Sequence, residues 1–330
     1  MLGNIQILRF VAAALVVLFH VALTAQNEGR PSMLLGHFGR WGESGVDIFF
    51  VISGLVMVLS QARNRRGVGE FLRERAVRIL PMYWILTLLL AALLLFLPQL
   101  FNSDSFSPAK TLASLLFVNG LVHEGMPVLY LGWTLEYEWL FYLAFSASFA
   151  LVPLKYTWIP VLAFFLLLNV SGLVGLFAVE FVYGMAIGLF HLRGGRLPAP
   201  GLVLAAGMAM LLAVAFLPLP HLPRHIGYGI PAMLIVAGLV WLPQLRGRKV
   251  LFLGAASYSI YLIQVFAIPL AFRILEKFPL SNDAMALLVA AISLGGGAMA
   301  YLMVERPVGR ALHGLMQHET PAAVLSQRSS

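Results

Sequence analysis

Apolar runs, each close to the length needed to cross a bilayer, follow one another along almost the whole chain. A spanning helix needs about 20 mostly apolar residues. Candidates fall near 5–24, 46–62, 79–97, 128–152, 156–171, 173–191, 201–218, 228–243, 251–271 and 284–303. The polar material between them is too sparse for a water-soluble globule. Of the 330 residues, 60% are hydrophobic and 11% are charged, and the mean hydropathy is +0.89. A soluble domain carries about 25% charged residues. The composition excludes a soluble enzyme and predicts an all-α integral membrane protein of about ten transmembrane helices.

An eleventh apolar stretch, 112–122, is short and lies between polar segments. Lys and Arg decide its status, because cytoplasmic loops carry the excess of both. Placing 63–78, with its six arginines, on the inside also puts Lys155, Arg193, Arg196, Arg246, Arg248, Lys249, Arg306, Arg310 and Arg328 there. That leaves fifteen basic residues inside against six outside, namely Arg30, Arg40, Lys110, Arg224, Arg273 and Lys277. The arrangement works only if 112–122 does not cross. It is therefore expected to be a re-entrant or interfacial helix, and both termini are expected in the cytoplasm. The net charge of +8 is read as a bilayer signal and not as nucleic-acid binding. Without cysteine there is no disulfide, thiolate nucleophile or thiolate metal site. No cleavable leader is read at the start, so the first helix is expected to remain as an anchor. One membrane domain over 1–310 is expected, with a short polar cytoplasmic tail over 311–330 that frays from about Thr320.

Ionisable side chains inside apolar runs are rare and usually face an internal cavity with a partner. Arg9 and His20 are eleven residues apart on the first helix, which returns them to within about 20° of one face with a rise of about 16 Å. Snorkelling for Arg9 and a core hydrogen bond for His20 is the plainer alternative. Asp47 opens the second span within Gly45-Val46-Asp47-Ile48-Phe49-Phe50-Val51-Ile52-Ser53-Gly54. It either caps that helix through the dipole or orients His20 by accepting from one ring nitrogen. Trp133-Thr134-Leu135-Glu136-Tyr137-Glu138-Trp139-Leu140-Phe141-Tyr142 places two acids among aromatic rings. Glu138 and Tyr142 share a face, and Glu136 points elsewhere. Glu180 reads as structural. On the inner side, Arg75 and Arg78 lie three apart, either for topology alone or as a fork-shaped cradle for phosphate.

Taken in order, these segments resemble the acyltransferase-3 family of integral membrane acyltransferases, most closely its exopolysaccharide O-acetyltransferase branch. Arg9-x10-His20 is similar to the family's R/K-x10-H signature, 45–54 to its G-V-D-x-F-F-v-x-S-G segment, and Arg75-x-x-Arg78 to its R-x-x-R pair. The segment 133–142 is similar to W-[ST]-L-x-x-E-x-x-F-Y, which maps the family glutamate onto Glu138. Tyr258-Ser259-Ile260-Tyr261-Leu262 and Val304-Glu305-Arg306-Pro307 are similar to its closing segments. The resemblance spans about 4–310. Gln264 departs from it, since many relatives carry His there. No fused esterase domain is expected.

The resemblance implies transfer of an acetyl group from cytoplasmic acetyl-CoA to a sugar hydroxyl of an exopolysaccharide, another cell-surface glycan or a lipid-linked oligosaccharide precursor, at the bacterial inner membrane. Acetyl-CoA is then the donor substrate, with no permanently bound cofactor and no metal. Polysaccharide-synthesis machinery is a candidate partner. His20, Asp47 and Glu138 are the expected catalytic residues. Arg9, Arg75 and Arg78 are expected to bind the donor, and Trp133, Tyr142, Tyr258 and Tyr261 to line the acceptor side. The acetyl group is expected either to arrive through a central tunnel on the pantetheine arm or to ride transiently on His20. A polytopic transporter, or a non-catalytic subunit of a polysaccharide export assembly, is the alternative, although no internal repeat of the transporter kind is present.

Overall fold

In hydrocarbon every backbone N–H and C=O needs an internal partner, so runs of Leu, Val, Ala and Phe become helices. The computed structural model describes residues 2–100, 105–217 and 222–318, and all regular structure among them is helical. In chain order the helices are α1 (Gly3–Asn27), α2 (Phe38–Trp41), α3 (Ser44–Arg63), α4 (Val68–Phe96), α5 (Pro108–Leu115), α6 (Gly132–Leu151), α7 (Trp158–Val170), α8 (Glu180–Leu192), α9 (Pro200–Phe216), α10 (Arg224–Gly227), α11 (Gly229–Trp241), α12 (Arg248–Leu275), α13 (Asn282–Ala300) and α14 (Arg306–His318).

Among the described residues, six stretches are long and apolar enough to cross a membrane. They are α1, α3, α4, the segment Arg224–Trp241, α12 and the segment Asn282–Leu312. The expected count of about ten is therefore not reached on length and composition. Leu154–Val170, Leu176–Leu192 and Pro200–Phe216 are apolar but shorter. The fourth shortfall is α6, which has 20 residues but is diluted by Glu136, Glu138, Ser146 and Ser148.

The core forms around α1, which packs on α3 and α12; α12 in turn packs on α13, α3 on α8, and α9 on α11. Small residues set the closest approach. A Cβ added at Gly54 would run into the Phe181 carbonyl, and one at Gly184 into the Val51 carbonyl. Such small-residue contacts let helix backbones meet inside a membrane, where lipid removes most of the hydrophobic drive for association. Gly184→Val should therefore force α3 and α8 apart and leave little monodisperse protein on size-exclusion in detergent. Gly39→Ala, where an added Cβ meets nothing within 4 Å, should elute like the parent.

The segment expected as a helix over 112–122 is helical earlier, at Pro108–Leu115, with Ser107 accepting from the Lys110 amide at its start. The helix ends because the chain turns: Phe117 takes φ 59° and stacks on Tyr83 with ring centroids 4.7 Å apart. Beyond it the loop is tied to α6. The Glu136 carboxylate accepts from Asn119 N (3.0 Å), Asn119 Nδ2 (2.7 Å) and Gly120 N (3.1 Å).

At the other end of the chain, Pro307 has no N–H to give to the carbonyl four residues back. The preceding turn, Tyr301–Glu305, opens to a π-helical one. The expected tail continues as α14 to His318, and residues 319–330, with Arg328 and the expected fraying, lie outside the described residues.

Candidate active site

Helices α1, α3, α4, α6 and α12 surround a cavity of about 80 Å³. Its walls carry Arg9, Ser53, Arg78, Glu138, Tyr142, Tyr258 and Tyr261, together with apolar side chains of α3. Toward the start of α1 it meets a cleft of about 690 Å³ that shares Arg9 and Arg78 and adds Arg248, Glu305, Arg306 and the ring pair Phe252–Tyr301, with centroids 5.7 Å apart. A second cleft of about 310 Å³ shares Arg78 and Glu305 and adds Glu74 and Arg75. Arginines thus crowd one end of the helix assembly, and we call it the basic end.

Two half-buried arginines in one place need counter-charge. Arg9 is surrounded by Arg78, Glu138 and Glu305. Glu138 accepts from Ser53 Oγ (3.0 Å) and from the hydroxyl of Tyr142 one turn along α6. Glu305 accepts from Ser259 Oγ. The widened turn created by Pro307 thus carries the glutamate that faces Arg9 and Arg78, and the closing motif gains a physical role. Tyr258 donates to the Ile79 carbonyl (2.8 Å) and Tyr261 pairs with Thr134 (2.8 Å), which ties α12 to α4 and α6.

Glu138, and Tyr142, which was expected on the acceptor side, accordingly sit with the arginines. The reason is helical depth: Glu138 lies beside Ser53, in the middle of α3, and opposite Arg9. The residue at the opposite end is Trp133, which lines a pocket of about 200 Å³ with Glu136 and Tyr137. Glu136 faces its loop, as its phase on the helix requires. Glu136→Gln should loosen that loop and lower the unfolding temperature in detergent, while Glu138→Gln should leave stability closer to the parent and lower acyl transfer. Rates and melting curves for the two variants, measured on the same preparations, test the assignment. Equal loss of transfer per folded molecule would erase the distinction.

His20 lies further along α1. Its Nδ1 is 2.9 Å from the Val16 carbonyl, which can only accept, so Nδ1 bears the proton and Nε2 the lone pair. The ring packs against Phe19 and Tyr130, with centroids 4.9 and 5.3 Å away. His20 is not among the residues that line the cavity, whose lining on α12 ends at Tyr261.

Asp47 was read either as a helix cap or as the residue that orients His20. The structure gives it other partners: Arg224 Nη2 at 2.9 Å from Oδ2, Arg224 Nε at 3.0 Å from Oδ1, and the carboxyl of Glu180. Asp47 lies on the face of α3 that continues through Val51 and Gly54 against α8, whereas Val46, Phe49, Phe50 and Ser53 face the cavity. Helical phase decides the matter. Arg224 also pairs with Glu43 (3.0 Å) and lies over the rings of Trp133, Phe177 and Tyr228.

Arg75 lines the smaller cleft. It lies 5.7 Å over Phe71 and donates a 3.3 Å bond to Glu74, and its Nε has no acceptor among the described residues. Sequence reasoning missed Ser53, Arg224, Arg248 and Arg306 as neighbours of these groups and set Gln264 aside. Only Ser53 and Arg306 carried a signal, each lying inside a quoted motif.

No solved structure matches the chain. A family profile described as an acyltransferase domain matches residues 2–302. The exopolysaccharide production protein ExoZ of Rhizobium meliloti (strain 1021) is 37% identical over 302 residues, covering 83% of this chain and 92% of that protein. With a profile match over nearly its full length, a relative of this identity and the six segments in order, the chain belongs to the acyltransferase-3 family.

Proposed function

We propose that the protein moves an acetyl group from cytoplasmic acetyl-CoA to a sugar hydroxyl of an exopolysaccharide, another cell-surface glycan or its lipid-linked precursor. The observation that carries this reading is a broad arginine-lined cleft that shares Arg9 and Arg78 with a smaller cavity between α1, α3, α4, α6 and α12. Acyl transfer from CoA asks for that sequence of environments. Guanidinium forks suit the phosphates, a narrow passage suits the pantetheine arm, and a base must stand where the hydroxyl attacks.

In this mechanism the phosphates rest among Arg9, Arg75, Arg78, Arg248 and Arg306. Arg9 to His20 is a rise of about 16 Å along α1, comparable to an extended pantetheine. The thioester then lies between Tyr261 and His20. His20 Nε2 takes the proton of the acceptor hydroxyl as its oxygen bonds to the thioester carbon. The C–S bond breaks, and the thiolate recovers that proton as CoA-SH. The acceptor enters from the end marked by Trp133. Glu138 holds Arg9 and Tyr142 in place and orders the passage.

The topology that goes with this reading counts α6 and the three shorter apolar helices as spans along with the six longer ones. That makes ten crossings in the bacterial inner membrane with both termini cytoplasmic, and the basic end then meets the compartment that makes CoA. The relative's name, exopolysaccharide production protein, supports a glycan as acceptor.

Purified protein in lipid, given labelled acetyl-CoA and a glycan fraction from its host, tests the proposal. Label should appear on the glycan, and none above a heat-inactivated control would end it. Arg78→Ala should raise the apparent KM for acetyl-CoA, with Arg78→Lys recovering only part because it lacks the fork. Full recovery by lysine would mean that charge alone, as in topology, is what Arg78 provides.

A further inference from the structure

The broad cleft beside the cavity holds two features that phosphate binding does not use. The first is Gln6. It is only 5% exposed and lines the cleft, and its side chain makes no hydrogen bond among the described residues. Its amide oxygen lies against Gly254 of α12, where an added Cβ would run into it. A buried amide without partners is uncommon in folded proteins and asks for an explanation. The second feature is the pair Phe252 and Tyr301, both half-buried on the cleft, whose rings meet at 70°. Rings at such an angle form a corner: a flat group stacks on one face and meets the edge of the other.

Charge completes the lining. Arg248 lies one turn before Phe252 on α12 and shares its face. Arg306 starts α14, directly after the π-helical turn that carries Tyr301. Both arginines line the cleft and are exposed. Glu305, the one carboxylate in the lining among the described residues, accepts from Ser259. On α1, Gln6 stands three residues before Arg9. It therefore shares Arg9's face and lies about 4.5 Å further from His20 along the axis.

We propose that this cleft is the subsite for the adenosine 3′,5′-bisphosphate end of CoA, with Gln6 pairing with the edge of the adenine, Phe252 and Tyr301 taking its face, and Arg248 and Arg306 holding the 3′-phosphate. This rests on the reading of acetyl-CoA as donor. A glutamine amide suits adenine because its oxygen accepts from the exocyclic amine while its nitrogen donates to a ring nitrogen. The order along α1 matches the order of the ligand. The base meets Gln6, the pyrophosphate meets Arg9 and Arg78, which the cleft and the cavity share, and the pantetheine points toward His20. The nucleotide is held equally before and during transfer, so the subsite acts on KM and not on kcat.

Equilibrium binding of adenosine 3′,5′-bisphosphate to the full chain in detergent reads the subsite without turnover. Wild type should bind it about tenfold or more tighter than inorganic pyrophosphate, which has charge but no base. Gln6→Met keeps the volume and loses both hydrogen bonds; Tyr301→Leu loses the ring. Each should weaken nucleotide binding by about 5- to 100-fold, and Tyr301→Phe, which keeps the ring, should recover it. In transfer assays in lipid, wild type should favour acetyl-CoA over acetyl-phosphopantetheine, which lacks the nucleotide. Gln6→Met and Tyr301→Leu should lose that preference through KM.

Pyrophosphate bound as tightly as the nucleotide would show that the cleft reads charge alone, as a lipid headgroup site does, and would overturn the proposal. Variants that bind the nucleotide like wild type would do the same. If Gln6→Met does not fold, Tyr301→Leu, on the half-buried wall of the cleft, carries the test. Nucleotide binding that weakens in both variants of a protein with no acetyl transfer would keep the subsite and end the acetyltransferase reading. Acetyl transfer with unmoved nucleotide binding would keep that reading and end the subsite.

Discussion

Replacing His20 with alanine should leave a protein that inserts and purifies normally yet transfers acetyl roughly 10²–10⁴-fold more slowly, the range for loss of a general base. Normal insertion is expected because the ring is only partly buried and its one short backbone bond, to Val16, is local to α1. The apolar packing of α1 on α12 comes from Ala13, Val17, Val21 and their neighbours. Donor binding should be untouched, since Arg9 lies about three turns back along the same helix and the other arginines lie on α4, α12 and α14. The expected signature is therefore a fall in kcat with unchanged binding of CoA. Labelled acetyl-CoA and equilibrium binding to the same preparation measure both. Trapping of radiolabelled acetyl on wild-type protein, lost in His20→Ala, would show the ring acting as a carrier and not only as a base. A His20→Ala protein with near-normal transfer would remove the residue from the chemistry.

The helical class and most span positions were legible because lipid imposes one rule, and apolar runs of the right length satisfy it. What blurred the count was α6: the polar residues that equip it for the site, Glu138 and Thr134 among them, also lower its hydropathy. Along single helices the reading travelled well. Arg9 and His20 lie on one continuous helix, Glu138 meets Tyr142 one turn on, and Glu136 turns away. Between helices it travelled badly. The reading that put Asp47 beside His20 rested on the first two spans being neighbours, yet neighbouring helices share only one face, and Asp47 lies on another. Arg224 lies 177 residues from Asp47 in sequence, and no periodicity announces such a partner.

The acid–arginine cluster yields the other large effect. Arg224→Met should destabilise the protein by about 3–5 kcal/mol, the range for removing one partner of a buried ion pair. Asp47 is completely buried and Glu180 likewise, and the oxygens of Glu180 find no donor among the described residues except the carboxyl of Asp47. With one proton shared between the two carboxyl groups, one negative charge remains, and Arg224 balances it. Without it a carboxylate stays buried and unpaired among apolar helices. The remedy follows from the same reasoning. Asp47→Asn added to Arg224→Met removes the stranded charge, and the double variant should melt above Arg224→Met alone. This non-additivity is expected of groups in one network. Thermal unfolding in detergent measures the four corners of the cycle. Additive effects would mean that Arg224 acts through its stacking on Trp133, Phe177 and Tyr228 and not through charge. The same preparations decide between the two roles read for Asp47. If Asp47→Asn alone lowers stability while kcat per folded molecule holds, the residue belongs to the cluster that joins α3, α8 and α10; a fall in kcat at unchanged stability would return it to the service of His20.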